Sequence, residues 1–159
     1  QESAGIAVSD GRVAHIYKAM GLVAQVFNED NLSPLRGHIA IGHTRYSTTG
    51  SSHLRNAQPY LIESLNGPIG VGHNGNLVNF HAIRRELEGR GAIFGSTSDS
   101  EVILHLLARS LERHMEDRFI DAISRVKGAY SILLLTDDAL IAAGQKELDD
   151  DARRRLHAG

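Results

Sequence analysis

Apolar positions alternate with polar ones toward both ends of the chain and recur with a helical period in between. Residues 3–8 and 13–17 read as two strands, and Asp10-Gly11 between them suits a tight hairpin because glycine accepts positive φ. Leu22, Val23, Val26 and Phe27 share one face of a short helix predicted over 20–27. A loop over 32–37 contains Pro34 and Gly37, a strand follows over 39–43, and a polar loop over 44–56 comes next. Strands over 59–63 and 69–73 flank an Asn66-Gly67-Pro68 turn. From Leu77 the period changes. Leu77, Phe80, Ile83, Arg84 and Leu87 fall on one helical face, and Gly89 and Gly91 end the segment. A second helix is predicted over 98–113 and a third over 117–126, stopped by Gly128. Strands over 130–135 and 140–143 surround the turn Thr136-Asp137-Asp138-Ala139.

Strands, then helices, then strands, joined by hairpins instead of parallel crossovers, favour an α+β layered sandwich. The stretch 144–159 departs from this pattern. Asp149, Asp150 and Asp151 precede Arg153, Arg154 and Arg155 by four residues, and Leu148, Ala152 and Leu156 form an apolar row, the signature of a short surface helix. With 159 residues the chain is the size of one domain. A net charge of −2 gives no electrostatic case for nucleic acid or an anionic membrane. Short apolar runs such as 132–135 fall far short of a membrane span. The chain has no cysteine, which excludes disulfides and thiolate metal sites and suits a reducing compartment, so a cytoplasmic protein is expected.

Three segments carry candidate chemistry. Arg45 follows a predicted strand and opens a loop rich in hydroxyls (Ser47, Thr48, Thr49, Ser51, Ser52). A guanidinium holds a carboxylate through two parallel hydrogen bonds, which Lys cannot reproduce, although Arg45 taken alone reads first as a structural Arg satisfying its own loop. Asn74-Gly75 offers a side-chain amide and a backbone N–H as donors for a developing oxyanion, each worth about 3–4 kcal/mol in a fixed site. Glycine also lets backbone approach a ligand, while Asn-Gly is equally a common hairpin turn. Asp99 can accept from a ligand ammonium, or Ser98 or Asp99 can cap the helix with Glu101 in its first turn. Nine histidines are scattered without helical metal-site spacing, so no metal site is expected. His43 and His73 are placed to support the neighbouring motifs by hydrogen bonds.

In combination these segments are specific. Gln1-Glu2-Ser3-Ala4-Gly5-Ile6, Gly42-His43-Thr44-Arg45-Tyr46-Ser47-Thr48-Thr49-Gly50, His73-Asn74-Gly75-Asn76, Thr97-Ser98-Asp99-Ser100-Glu101 and Lys127-Gly128-Ala129-Tyr130-Ser131 resemble class II glutamine amidotransferases over about residues 1–143. Tyr46-Ser47 and Gln1-Glu2-Ser3 resemble the amidophosphoribosyltransferase branch in particular. The resemblance implies an N-terminal-nucleophile hydrolase fold, a four-layer αββα sandwich of antiparallel sheets. It implies that Arg45 binds the glutamine α-carboxylate, that Asp99 binds its α-ammonium, and that Asn74 and Gly75 form the oxyanion hole. In that family an N-terminal Cys attacks the amide. The ammonia passes to a phosphoribosyltransferase domain that holds phosphoribosyl pyrophosphate and Mg²⁺, giving 5-phosphoribosylamine in the first step of de novo purine synthesis.

The sequence departs from the pattern in lacking that Cys and in carrying Gly144-Gln145-Lys146-Glu147 where the family continues differently. The expectation is therefore a partial glutaminase domain over 1–143, incomplete at the N-terminus and truncated at both ends. An atypical charged tail over 144–159 would follow it. Such a chain is expected to be inactive alone and to hold no cofactor of its own. The implied partners are glutamine, the phosphoribosyltransferase domain and further copies of the chain. The alternative is a non-catalytic glutamine-binding or interaction module.

Overall fold

The computed structural model describes residues 2–46 and 53–145, so the hydroxyls of 47–52 and the predicted tail helix beyond 145 lie outside the described residues. Two antiparallel sheets form the centre. The first has the order β2-β1-β3, from β1 (Ser3–Ser9), β2 (Ala14–Met20) and β3 (Ile39–Arg45). The second has the order β4-β5-β6-β7, from β4 (Tyr60–Ser64), β5 (Gly67–Leu77), β6 (Gly128–Leu135) and β7 (Leu140–Gln145). Two one-turn helices, α1 (Val23–Val26) and α2 (Glu29–Leu32), follow β2, and α3 (Phe80–Gly89), α4 (Glu101–Arg109) and α5 (Met115–Arg125) lie between β5 and β6.

The pleat of β5 explains the layering. Ile69 and Val71 point to one face and pack with Ile132 and Leu134 of β6 against Ile83 and Leu87 of α3, Val102, Ile103, Leu106 and Leu107 of α4, and Phe119 of α5. Burying each of these larger side chains is worth about 1.5–3 kcal/mol. Gly70 and Gly72 point to the other face, where the side chain of Ile41 from β3 lies over them. There Ala7, Ile41 and Leu135 form a second, smaller apolar cluster that joins the two sheets. A methyl at 70 would press on Leu135 of β6 and one at 72 would just reach Ile41, so the Ile-Gly-Val-Gly alternation encodes one apolar face and one thin face.

The first hairpin forms as predicted. The Asp10 carboxylate accepts from the Arg12 and Val13 amides at 2.9 Å each, which lowers its pKa, and Gly11 has φ +94°. Other boundaries moved. The helix predicted over 20–27 is α1 alone, because Met20 completes β2 and Gly21 turns the chain at φ +127°. Helix α2 was not anticipated. Asn28 and Asn31 cap it reciprocally, each side-chain oxygen accepting the other's amide at 3.0–3.1 Å.

The strand predicted over 69–73 runs from Gly67 to Leu77, because residues 74–77 pair with 128–131 of β6. The helix predicted from Leu77 therefore begins at Phe80, and the one predicted over 98–113 is confined to Glu101–Arg109. No helix among the described residues is long and apolar enough to cross a membrane.

Candidate active site

Arg45 is the last residue of β3, paired across to Ser3 of β1, and is 6% exposed. Its Nη1 donates to Glu2 Oε2 at 3.1 Å. Two residues earlier on the same face of the strand, His43 Nε2 bonds the His73 carbonyl at 2.8 Å. A carbonyl only accepts, so Nε2 carries the hydrogen. This bond ties the first sheet to the second beside the site.

Asn74 and Gly75 lie within β5, opposite Ser131 and Tyr130 of β6, so the hairpin-turn alternative for this pair is overturned. The neighbouring strand supplies a reason for the glycine that the sequence did not reveal. Gly75 has φ +138°, and a methyl there would overlap the carbonyl of Ala129 in the neighbouring strand. The close approach that requires glycine is made by β6.

Asp99 is 5% exposed in the turn before α4. Ser98 Oγ accepts the Ser100 amide at 3.2 Å and Glu101 lies in the first turn of α4, so the capping alternative is overturned for Asp99 alone. Asp99 Oδ2 instead accepts the Leu77 amide at 3.0 Å and so fastens the turn to the end of β5. Its Oδ1 faces Ser100 Oγ at 3.4 Å and His73 Nδ1 at 3.8 Å. Glu101 folds back on the turn and accepts from the Gly95 and Ser96 amides at 2.7 and 2.8 Å.

The four predicted site residues, Arg45, Asn74, Gly75 and Asp99, line a single pocket of about 180 Å³, together with His43, His73, Gln58 and Ser100. The pKa values of His43 and His73 are both lowered, chiefly by burial; the bond to the His73 carbonyl opposes this at His43 and the Asp99 carboxylate opposes it at His73, while Arg45 and His43 respectively add a smaller lowering. Both imidazoles are therefore neutral near pH 7. The pocket presents a guanidinium on one wall and a carboxylate on another, an arrangement complementary to a zwitterion. Among the described residues no group of three or more His, Cys, Asp and Glu could hold a metal ion.

Gln58 and Ser100 were not singled out from the sequence. Gln58 is 5% exposed, accepts the His73 amide at 2.7 Å and donates to Ser100 Oγ at 3.2 Å. Ser100 Oγ also bonds His73 Nδ1 at 2.8 Å. The position of Gln58 directly before Pro59 gave only a loop signal.

A profile of the glutamine amidotransferase domain matches residues 29–138. The chain belongs to the glutamine amidotransferase family. Within that family it is 49% identical over 143 residues to amidophosphoribosyltransferase 2, chloroplastic, of Arabidopsis thaliana, covering 89% of this chain and 26% of that relative. It is 48% identical over 144 residues to the amidophosphoribosyltransferase of Methanocaldococcus jannaschii, covering 89% and 31%. The structure of glutamine phosphoribosylpyrophosphate amidotransferase from B. subtilis, complexed with ADP and GMP, superposes with a TM-score of 0.85 at 40% identity, covering 91% of this chain and 31% of that one. The chain thus spans about a third or less of the length of these relatives. The expected fold agrees with this glutamine amidotransferase architecture: two antiparallel sheets with helices packed outside them.

Proposed function

We propose that this chain forms the glutamine-binding part of an amidophosphoribosyltransferase. The observation that carries the proposal is the placement of Arg45 and Asp99 on different walls of one pocket, with Asn74 and Gly75 also lining it. Arg45 takes the α-carboxylate of glutamine, and Asp99 Oδ1 takes the α-ammonium. The side-chain carbonyl is directed toward the Asn74 amide and the Gly75 N–H, which stabilise the oxyanion when a nucleophile attacks that carbon. The chain contains no cysteine, so none of its own residues is the attacking thiolate of the family mechanism.

In the whole protein the ammonia released would pass to a phosphoribosyltransferase domain and react there with phosphoribosyl pyrophosphate, with Mg²⁺ held in that domain. The composition suits the cytoplasm, and association with further copies of the chain belongs to the same reading.

Isothermal calorimetry on this chain tests the proposal. L-Glutamine is expected to release measurable heat, and glutaramic acid, which lacks the ammonium, is expected to bind at least tenfold more weakly. A folded sample that gives no heat at millimolar L-glutamine overturns the reading.

A further inference from the structure

We propose that Gln58 is a positioning residue for the pocket: it spans from β5 to the turn that carries Asp99 and holds the two at a fixed separation. The inference rests on the glutamine-site reading for its functional meaning. The geometry that supports it is independent of any ligand.

Residues 56–59 make contacts in two directions. The side chains of Asn56 and Gln58 reach the turn before α4. Asn56, fully buried, donates to Thr97 Oγ1 at 2.9 Å and accepts the Thr97 amide at 3.0 Å. Gln58 donates to Ser100 Oγ at 3.2 Å while accepting the His73 amide at 2.7 Å. Those two bonds use both ends of one amide, so its orientation is fixed by the network.

The backbone of the same segment is held from the first sheet. Lys18 Nζ donates to the carbonyls on either side of Gln58, Ala57 at 2.7 Å and Pro59 at 3.2 Å. Gly5, the partner of Lys18 across β1 and β2, leaves room for the Gln58 carbonyl, and a methyl at Gly5 would overlap it. Residue 58 is thereby anchored by β1, β2, β5 and the Asp99 turn.

Removing the amide takes one bond from Ser100 Oγ, which keeps its contacts to His73 Nδ1 and Ser98, and leaves the His73 amide without its acceptor. A buried donor without a partner is costly, so the strand and the turn move relative to one another. Asp99 then loses its separation from Asn74 and Gly75, although Gln58 need not touch the ligand.

Two variants separate positioning from bulk stability. Gln58→Met removes both bonds at similar volume. Gln58→Glu keeps an acceptor for the His73 amide and loses the donor to Ser100. Ile83→Val in α3 serves as a control that lowers stability elsewhere. The readouts are amide hydrogen exchange at Leu77, whose N–H is held by Asp99, normalised to Leu134, and the dissociation constant for L-glutamine. The expectation is exchange at Leu77 at least tenfold faster in both Gln58 variants, with protection of His73 kept in Gln58→Glu only. Glutamine affinity falls at least tenfold in both, and Ile83→Val changes neither quantity. The inference is overturned if Leu77 exchange in both Gln58 variants matches the Ile83→Val control. Absence of glutamine binding in the unmodified chain would overturn the glutamine reading alone, because the exchange at Leu77 still decides whether Gln58 positions the turn.

Discussion

The two sheets are built for different tasks. The second sheet faces three amphipathic helices across a continuous apolar layer, from Ile69 and Val71 to Leu107 and Phe119. The first sheet has small residues along β1, Ser3-Ala4-Gly5-Ile6-Ala7-Val8-Ser9, and contributes only Ala7 and Ile41 to the small cluster beneath it, with Ile16 and Ile39 partly buried beside them. Yet β3 delivers Arg45 and His43 to the pocket, and β2 delivers Lys18 to the segment beside it. Stability is thus concentrated in one sheet, while the other supplies polar groups whose placement depends on docking against it.

The largest test of this contrast is a matched pair of truncations. Ile132→Ala, in the fully buried centre of the second sheet, is expected to cost about 3–5 kcal/mol, and Ile41→Ala about 2 kcal/mol. Urea denaturation of both variants gives the comparison, and equal losses would remove the asymmetry. Next comes a pair within β5. Gly75→Ala must accept both an unfavourable φ and a clash with β6, and is expected to cost about 3 kcal/mol or prevent folding. Gly72→Ala would meet only Ile41 Cδ1 at 3.8 Å, an ordinary contact, and should change stability by about 1 kcal/mol or less.

Arg45→Lys sharpens the functional side of the contrast. A point charge replaces the planar fork, so L-glutamine affinity should fall at least tenfold, about 1.4 kcal/mol or more, in calorimetry on folded protein.

The smallest expected effect is a slope with pH. His43 and His73 have folded pKa values below the unfolded value of about 6.5, so below that pH the unfolded chain binds more protons and stability falls as acid is added. Above it these two groups contribute no slope. Thermal melts between about pH 8 and pH 5 should show the decline, and His43→Gln should make it shallower while His73 and His105, also lowered, still contribute.

Much of this was legible because local pattern and tertiary role agreed. The hairpin at Asp10-Gly11, the strands near 60 and 132 and the apolar faces of α3–α5 follow from period and turn chemistry. The pattern failed where tertiary pairing overrode propensity. Asn74, Gly75 and Asn76 are poor strand formers, and what extends them is a partner strand far along the chain at 128–131. Arg45, Asn74, Gly75 and Asp99 were found through their motifs, and the structure gathers all four at one pocket. The hairpin-turn alternative for Asn74-Gly75 and the capping alternative for Asp99 were resolved only by coordinates, since Asn74 and Gly75 pair within β5 and Asp99 fastens β5 where a capping carboxylate would have turned to its own helix. Gln58 and Asn56 escaped notice because a polar residue buried in a loop has no periodicity to reveal it. Their partners, Ser100 and Thr97, are apparent only once the turn is folded against them.

Arg45 sits on one sheet, and Asn74, Gly75 and Asp99 belong to the other sheet and the turn fastened to it. A molecule that engages both walls is therefore a reversible cross-link between layers. By mass action it should add about 2.7 kcal/mol of stability at one hundred times its dissociation constant. The melting temperature then becomes a dose-dependent gauge of occupancy, and an analogue stripped of its α-carboxylate, able to grip only one layer, should raise it far less.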